Sequence, residues 1–191
     1  MRTIVLITAL ISAVWTAGKC PDVRLQEDFS APNYMGIWYE QLRSKTIPFQ
    51  KADCTVASYT LKGDGSVAVF NSDYCAKTDK HNTAVGTAWF KGPWGKVKFS
   101  PWLPAGDYRV VATDYKSYAI IFSCWHAWFL KTEYYWILTR EKQPGVELVK
   151  KALSLLQERS PGVNPEDLRT TTQGGNCKYL KEPHAVRGEV Y

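Results

Sequence analysis

Short apolar runs rich in β-branched and aromatic residues follow one another along most of this chain, separated by turn residues. That spacing is the pattern of an all-β barrel. Gly36 to Lys45 reads as a first strand. Cys54 to Leu61 and Ser66 to Tyr74 flank Lys62-Gly63-Asp64-Gly65, a tight hairpin with glycines where φ must turn positive. Thr83 to Lys91 is a fourth strand, stopped by Gly92-Pro93-Trp94-Gly95, and Lys96 to Ser100 a short fifth. Asp107 to Thr113 and Tyr118 to Trp125 flank Asp114-Tyr115-Lys116-Ser117, and Glu133 to Glu141 is the eighth. Eight antiparallel strands can close on themselves and leave no open edge. A barrel of that size has just enough room for side chains or one small ligand. The period then changes. Pro144 suits the first turn of a helix, and Val146, Val149, Leu153 and Leu156 mark one apolar stripe, ended by Ser160-Pro161-Gly162. Such a helix packs on the outer wall.

Both ends of the chain read differently. Residues 1–18 have a positive start at Arg2, an apolar stretch from Ile4 to Val14 too short to cross a bilayer, and small residues Thr16 and Gly18. They predict a secretory signal peptide cleaved after Gly18. Residues 19–180 are expected to form one domain and residues 181–191 a loose tail. The net charge of +6 falls to +5 with loss of Arg2 and is spread out. No basic run is interleaved with aromatics, so nucleic acid is not an expected partner. No Asn-x-Ser/Thr acceptor is present. Five cysteines after a signal peptide meet an oxidising compartment. Four of them can pair in three ways, and sequence alone does not choose.

Three short signals recur in a particular order. They are Gly36-Ile37-Trp38-Tyr39-Glu40, then Thr113-Asp114-Tyr115, then Arg140 closing Tyr134-Tyr135-Trp136-Ile137-Leu138-Thr139. Together they resemble the lipocalins over about residues 19 to 180. The details are nearest the apolipoprotein D-like branch, with insect bilin-binding and crustacean carotenoid-binding lipocalins nearby. The resemblance implies an eight-stranded up-and-down barrel with one C-terminal helix outside. It implies that Trp38 plugs the closed end beneath Arg140, and that Asp114 and Tyr115 belong to the same end. It also implies disulfides Cys20 to Cys124 and Cys54 to Cys177, leaving Cys75 over. Each bridge closes a loop worth about 4 to 5 kcal/mol in a simple entropy model.

Side chains alternate along a strand, so an inward Arg140 carries Leu138, Trp136 and Tyr134 inward. Trp136 then sits roughly 13 Å above the base, as an aromatic wall for an apolar ligand or as core filling. The resemblance adds Tyr59, five residues after Cys54, and Asn71 in Val69-Phe70-Asn71 as polar handles. Tyr118, Ile120 and Phe122 share one face, taken as further lining. Two segments are unusually apolar: Pro101-Trp102-Leu103-Pro104 and Trp125-His126-Ala127-Trp128-Phe129-Leu130. Barrel topology puts both at the open mouth. There they dip into a membrane or lipoprotein surface, cover the pocket as a lid, or hold a dimer contact.

Catalytic patterns are sparse. His81, His126 and His184 lack metal-site spacing, and no Gly-x-Ser-x-Gly elbow or phosphate-cradling loop occurs. Cys75 is the one nucleophile candidate, and a structural or intermolecular thiol is its plainer reading. The expected function is therefore a secreted, non-enzymatic carrier of a small hydrophobic molecule such as a fatty acid, sterol or retinoid-like lipid. It needs no metal or cofactor. The alternatives are a pigment-binding protein with a bilin or carotenoid, and a lipid-modifying enzyme using Cys75.

Overall fold

The computed structural model describes residues 18–128 and 130–180. The predicted signal peptide, bar Gly18, and the tail lie outside those residues, as do Phe129 and His184. A short helix α1 (Ala31–Tyr34) leads into β1 (Gly36–Ser44). Then come β2 (Asp53–Leu61), β3 (Val67–Cys75), β4 (Lys80–Lys91), β5 (Trp94–Lys98), β6 (Gly106–Thr113), β7 (Tyr118–Ala127) and β8 (Leu130–Thr139). Helix α2 (Val146–Arg159), a 3-10 turn (Pro165–Asp167) and β9 (Leu168–Thr170) follow.

Every neighbour from β2 to β8 pairs antiparallel with the next, and β1 pairs with both β8 and β2, so eight strands form a closed ring. Closure satisfies the backbone groups that an open sheet would leave at its edges. The β1–β2 pairing covers only Gly36 to Tyr39. Beyond it the strands part. β9 lies against Leu42 to Ser44, and residues 171–173 enter the gap. There Thr171 N–H donates to Gln41 O, Cys54 N–H to Thr172 O, and the Gln173 amide to the carbonyls of Glu40 and Thr55. The sequence reading passed over β9, although Arg169-Thr170-Thr171-Thr172 carries a β-branched run.

Turn chemistry accounts for the hairpins. In the β2–β3 turn, Asp64 Oδ1 accepts from Ser66 N–H (2.9 Å), and Gly65 alone, at φ 81°, takes the left-handed conformation; Gly63 does not. The β4–β5 turn is shorter than expected. Trp94 and Gly95 already pair with Lys91 and Phe90. A Cβ at Gly95 would sit 2.9 Å from the Phe90 ring, so this strand position needs a glycine.

Helix α2 packs outside β6 to β8, with a rotated stripe. Ala152 and Leu156 are buried, with Leu148, Leu153 and Leu155 beside them, while Val146 is exposed. The helix starts at Val146 with Gly145 as N-cap, so Pro144 stands ahead of its first turn. Arg159 Nη1 donates to Val111 O (2.8 Å), and Tyr135 Oη bonds Ser160 Oγ (3.0 Å), fixing the docked end. Both implied disulfides form, Cys20–Cys124 and Cys54–Cys177, and Cys75 is free.

Candidate functional site: a barrel with a sealed base

The closed end is built from the three short motifs. Trp38 is fully buried and donates its indole N–H to Tyr34 O (2.9 Å). The Arg140 guanidinium lies 3.6 Å above its ring. Arg140 is just past β8, and that exit frees its side chain to reach across the base. It donates to the carbonyls of Ile37 (2.8 Å), Met35 (2.8 Å) and Tyr115 (3.0 Å). Five planar donors make arginine suited to stitching several carbonyls at once. Gly36 adopts φ 96°, and a Cβ there would meet Arg140 Nη1 at 3.2 Å. Thr113 Oγ1 donates to Tyr118 O (2.7 Å). Asp114 Oδ1 accepts from the backbone N–H of Lys116, Ser117 and Tyr118. Burial opposes charging of that carboxyl, but the backbone donors outweigh it and hold the group below its ordinary value. Asp114 thus pins the β6–β7 turn.

Above this seal the lower barrel is filled. Tyr34 comes in from α1, stacks on Tyr59 (5.6 Å) and meets Trp38 at a tilt (5.2 Å). Tyr34 Oη bonds Tyr108 Oη (2.8 Å), which bonds Tyr59 Oη (3.1 Å). Burial raises all three phenols above their ordinary values, Tyr59 to about 12, so the chain of hydroxyls stays protonated. Tyr59 points inward, but its hydroxyl is engaged with Tyr108. Neither Tyr34 nor Tyr108 was singled out from sequence. Tyr108 falls two residues before buried Val110 on an alternating strand, a usable signal.

Asn71 is different. It shares the inward parity of Val67 and Val69, and its cross-strand neighbours are the small Ala57 and Ala84. Its Oδ1 is buried without a hydrogen-bond partner among the described residues. Such atoms are uncommon in folded proteins. On β8, Leu138 and Trp136 pack in the interior, and Tyr134 meets Trp136 edge-on at 6.1 Å.

The expected phase of β7 is reversed. Tyr118, Ile120 and Phe122 belong to the outer core under α2, with Tyr135 and Ile137 of β8. Ala119 and Ile121 face the interior instead. The cause is α2: it buries the outer face, so both faces of β7 are apolar and the alternation that signals direction disappears. Cys124 shares the outward phase, which lets it reach Cys20.

The two apolar segments flank one end, opposite the seal. Residues 99–105 join β5 to β6. The other segment is largely strand: β7 runs to Ala127 and β8 starts at Leu130, and these two residues pair. Trp102 is 91% and Trp128 92% exposed, with Leu103, Trp125 and Leu130 also exposed. Trp128 holds φ 54°, a left-handed conformation uncommon for a bulky residue. Two surface depressions, of about 260 Å³ beside α2 and about 450 Å³ along β3 to β5, are lined by neither Tyr59, Asn71 nor Trp136. Among the described residues, no group of three His, Cys, Asp or Glu is placed to hold a metal ion, and no helix is long and apolar enough to cross a membrane.

The eight strands, the tryptophan seal, the external helix and β9 along β1 define a closed antiparallel β-barrel sealed at one end. The lipocalin-like domain model matches residues 29–173, and the chain belongs to the lipocalin family, carriers of small hydrophobic ligands. It is 30% identical to mouse (Mus musculus) apolipoprotein D over 190 residues, covering 93% of this chain and 98% of that one. It is 33% identical to the Lazarillo protein of Schistocerca americana over 165 residues, covering 81% and 76%. Insecticyanin of the tobacco hornworm Manduca sexta superposes with a TM-score of 0.72 at 22% identity, covering 82% and 87%. Apocrustacyanin C1 superposes with 0.69 at 19%, covering 90% and 95%.

Proposed function

We propose that this protein is a secreted, non-catalytic carrier that holds one small hydrophobic molecule in the upper half of the barrel. The observation that carries the reading is Asn71 Oδ1, buried and unpaired among the described residues, in a barrel whose interior also holds Trp136 and Leu138. A buried acceptor without a donor costs about 1–3 kcal/mol, and a ligand hydroxyl or N–H arriving there recovers it. The rest of the binding energy comes from apolar contact, about 25 cal/mol per Å² removed from water. A pocket with apolar walls and a few placed polar groups is the usual form of such a site. Two disulfides and the similarity to apolipoprotein D support secretion.

Titration with arachidonic acid, progesterone and retinol should quench tryptophan fluorescence, and Trp136→Ala should weaken at least one of them. Flat titrations with all three overturn the reading. Visible absorption that survives gel filtration of protein purified from its source would make the cargo a pigment. Cys75 supports catalysis less well. Hydrogen bonds from Thr78, with a smaller contribution from the Lys77 backbone and charge, hold its thiol below the ordinary value, and a lowered thiol by itself is not a catalytic site. Cys75→Ser should leave retinol binding unchanged.

The mouth tryptophans favour a surface over a lid. Rings more than nine-tenths exposed cover nothing. A tryptophan held out in the left-handed region has a cost without an internal return. Both suit a lipid surface, where amphipathic rings settle. Trp102→Ser with Trp128→Ser should abolish co-sedimentation with phosphatidylcholine vesicles. Unchanged co-sedimentation overturns this contact, and a concentration-dependent dimer lost in the same variant would reassign the patch.

A further inference from the structure

Residues 45–52 connect β1 to β2. They touch the proposed ligand wall twice. The Phe49 ring meets Tyr134 edge-on at 6.0 Å, and Gln50 Oε1 accepts the indole N–H of Trp136 at 2.8 Å. Behind Gln50 stands a buried ion pair. Gln50 Nε2 donates to Glu40 Oε2 (3.2 Å), and Glu40 Oε1 accepts from Arg43 Nη1 and Thr171 Oγ1. Arg43 Nη2 donates to the carbonyls of Gln50 (3.1 Å) and Ala52 (2.9 Å), tying the connection down by its backbone. Glu40 and Arg43 are each 1% exposed.

We propose that Gln50 is the positioning residue for Trp136, and that the Glu40–Arg43 pair fixes Gln50 in place. The inference deepens the carrier reading and rests on Trp136 facing cargo. An indole has a single donor. With that donor on Gln50, Trp136 is locked in one orientation and offers cargo only its apolar face. A wall already in its bound geometry need not be ordered by the ligand, and that gain appears as affinity. The anchoring pair is buried, and both Glu40 oxygens have partners, so the strap is held against fluctuation rather than free to swing.

The test is a double-mutant cycle on retinol affinity. Gln50→Met keeps length and removes the amide; Trp136→Phe keeps an aromatic wall and removes the N–H. Gln50→Met should weaken retinol about 5-fold in the wild-type background and by less than about 2-fold in the Trp136→Phe background. The same substitution should shift the Trp136 indole resonance in a 15N–1H spectrum of ligand-free protein, a readout that mere destabilisation does not give. Equal losses in both backgrounds, or an unmoved indole resonance, overturn the positioning role while leaving the cavity standing. Trp136→Ala serves as the control: if it too leaves retinol affinity unchanged, the cavity reading falls and takes this inference with it. Should Gln50→Met fail to fold, Trp136→Phe alone still decides, because it must move the Gln50 side-chain amide resonances.

Discussion

The two ends of this barrel are made from the same residue types and put them to opposite uses. At the base, Trp38 is buried, its N–H is bonded, its face lies under Arg140, and Arg140 is in turn held by several backbone carbonyls. At the mouth, Trp102 and Trp128 project into solvent with no such partners among the described contacts of their rings. Aromatic rings stabilise only where their surface leaves water and their polar edge finds a partner. The base therefore holds the fold, and the exposed mouth rings contribute little to it. Between them the tyrosine chain closes the lower half, and above it we place the proposed ligand site at Asn71.

That contrast breaks most visibly at the base. Trp38→Ala should cost about 3–5 kcal/mol, seen as a lowered urea midpoint, since it empties a fully buried indole site. A smaller loss than from Trp102→Ala would refute the division of labour. Replacing Cys54 and Cys177 by alanine should cost about 4 kcal/mol, because the bridge spans 123 residues of sequence. Calorimetry of the double variant measures it. Raising the pH probes the tyrosines without mutation. Burial pushes Tyr59 and Tyr135 up to about 12, whereas unfolded tyrosines titrate near 10. The folded protein keeps these protons longer, so their stabilisation is complete below pH 10 and is lost as pH rises from 10 to 12. Tyr59 alone accounts for about 3 kcal/mol across that window. A urea midpoint flat to pH 12 would contradict it, and Tyr59→Phe should shallow the fall. The smallest effect belongs to the mouth. Trp102→Ser with Trp128→Ser should move stability by within about 0.5 kcal/mol while removing vesicle binding.

Much of the closed end was legible in the chain. Gly36, Trp38, Thr113, Asp114, Tyr115 and Arg140 all meet there, because each lies next to its strand boundary and local geometry carries it to the base. The disulfide pairing followed from the resemblance rather than from spacing, and both bridges form. The ligand face of β7 was read backwards. Ala119-Ile120-Ile121-Phe122 is apolar throughout, so periodicity held no direction, and only the covering helix settles which side is outside. Tyr59 was read as a polar partner for a ligand, and only the folded chain shows that its hydroxyl bonds Tyr108, about fifty residues away in sequence. Gln50 gave no signal at all. A glutamine in a connecting segment is ordinary, and its meaning arises only when Trp136, Glu40 and Arg43 are brought around it.

The amino-acid order by itself determined the eight barrel strands, the β2–β3 and β6–β7 turns, the external helix and the residues that seal the base. These depend on alternation, on glycine and aspartate turn chemistry, and on short spacings, all properties of neighbouring residues. Only the tertiary structure decided which faces look inward on doubly buried strands, which hydroxyls answer one another across the barrel, and which buried acceptor, Asn71 Oδ1, has no partner among the described residues. Those outcomes rest on pairs distant in sequence, and a side chain's hydrogen-bond state exists only once its surroundings are assembled.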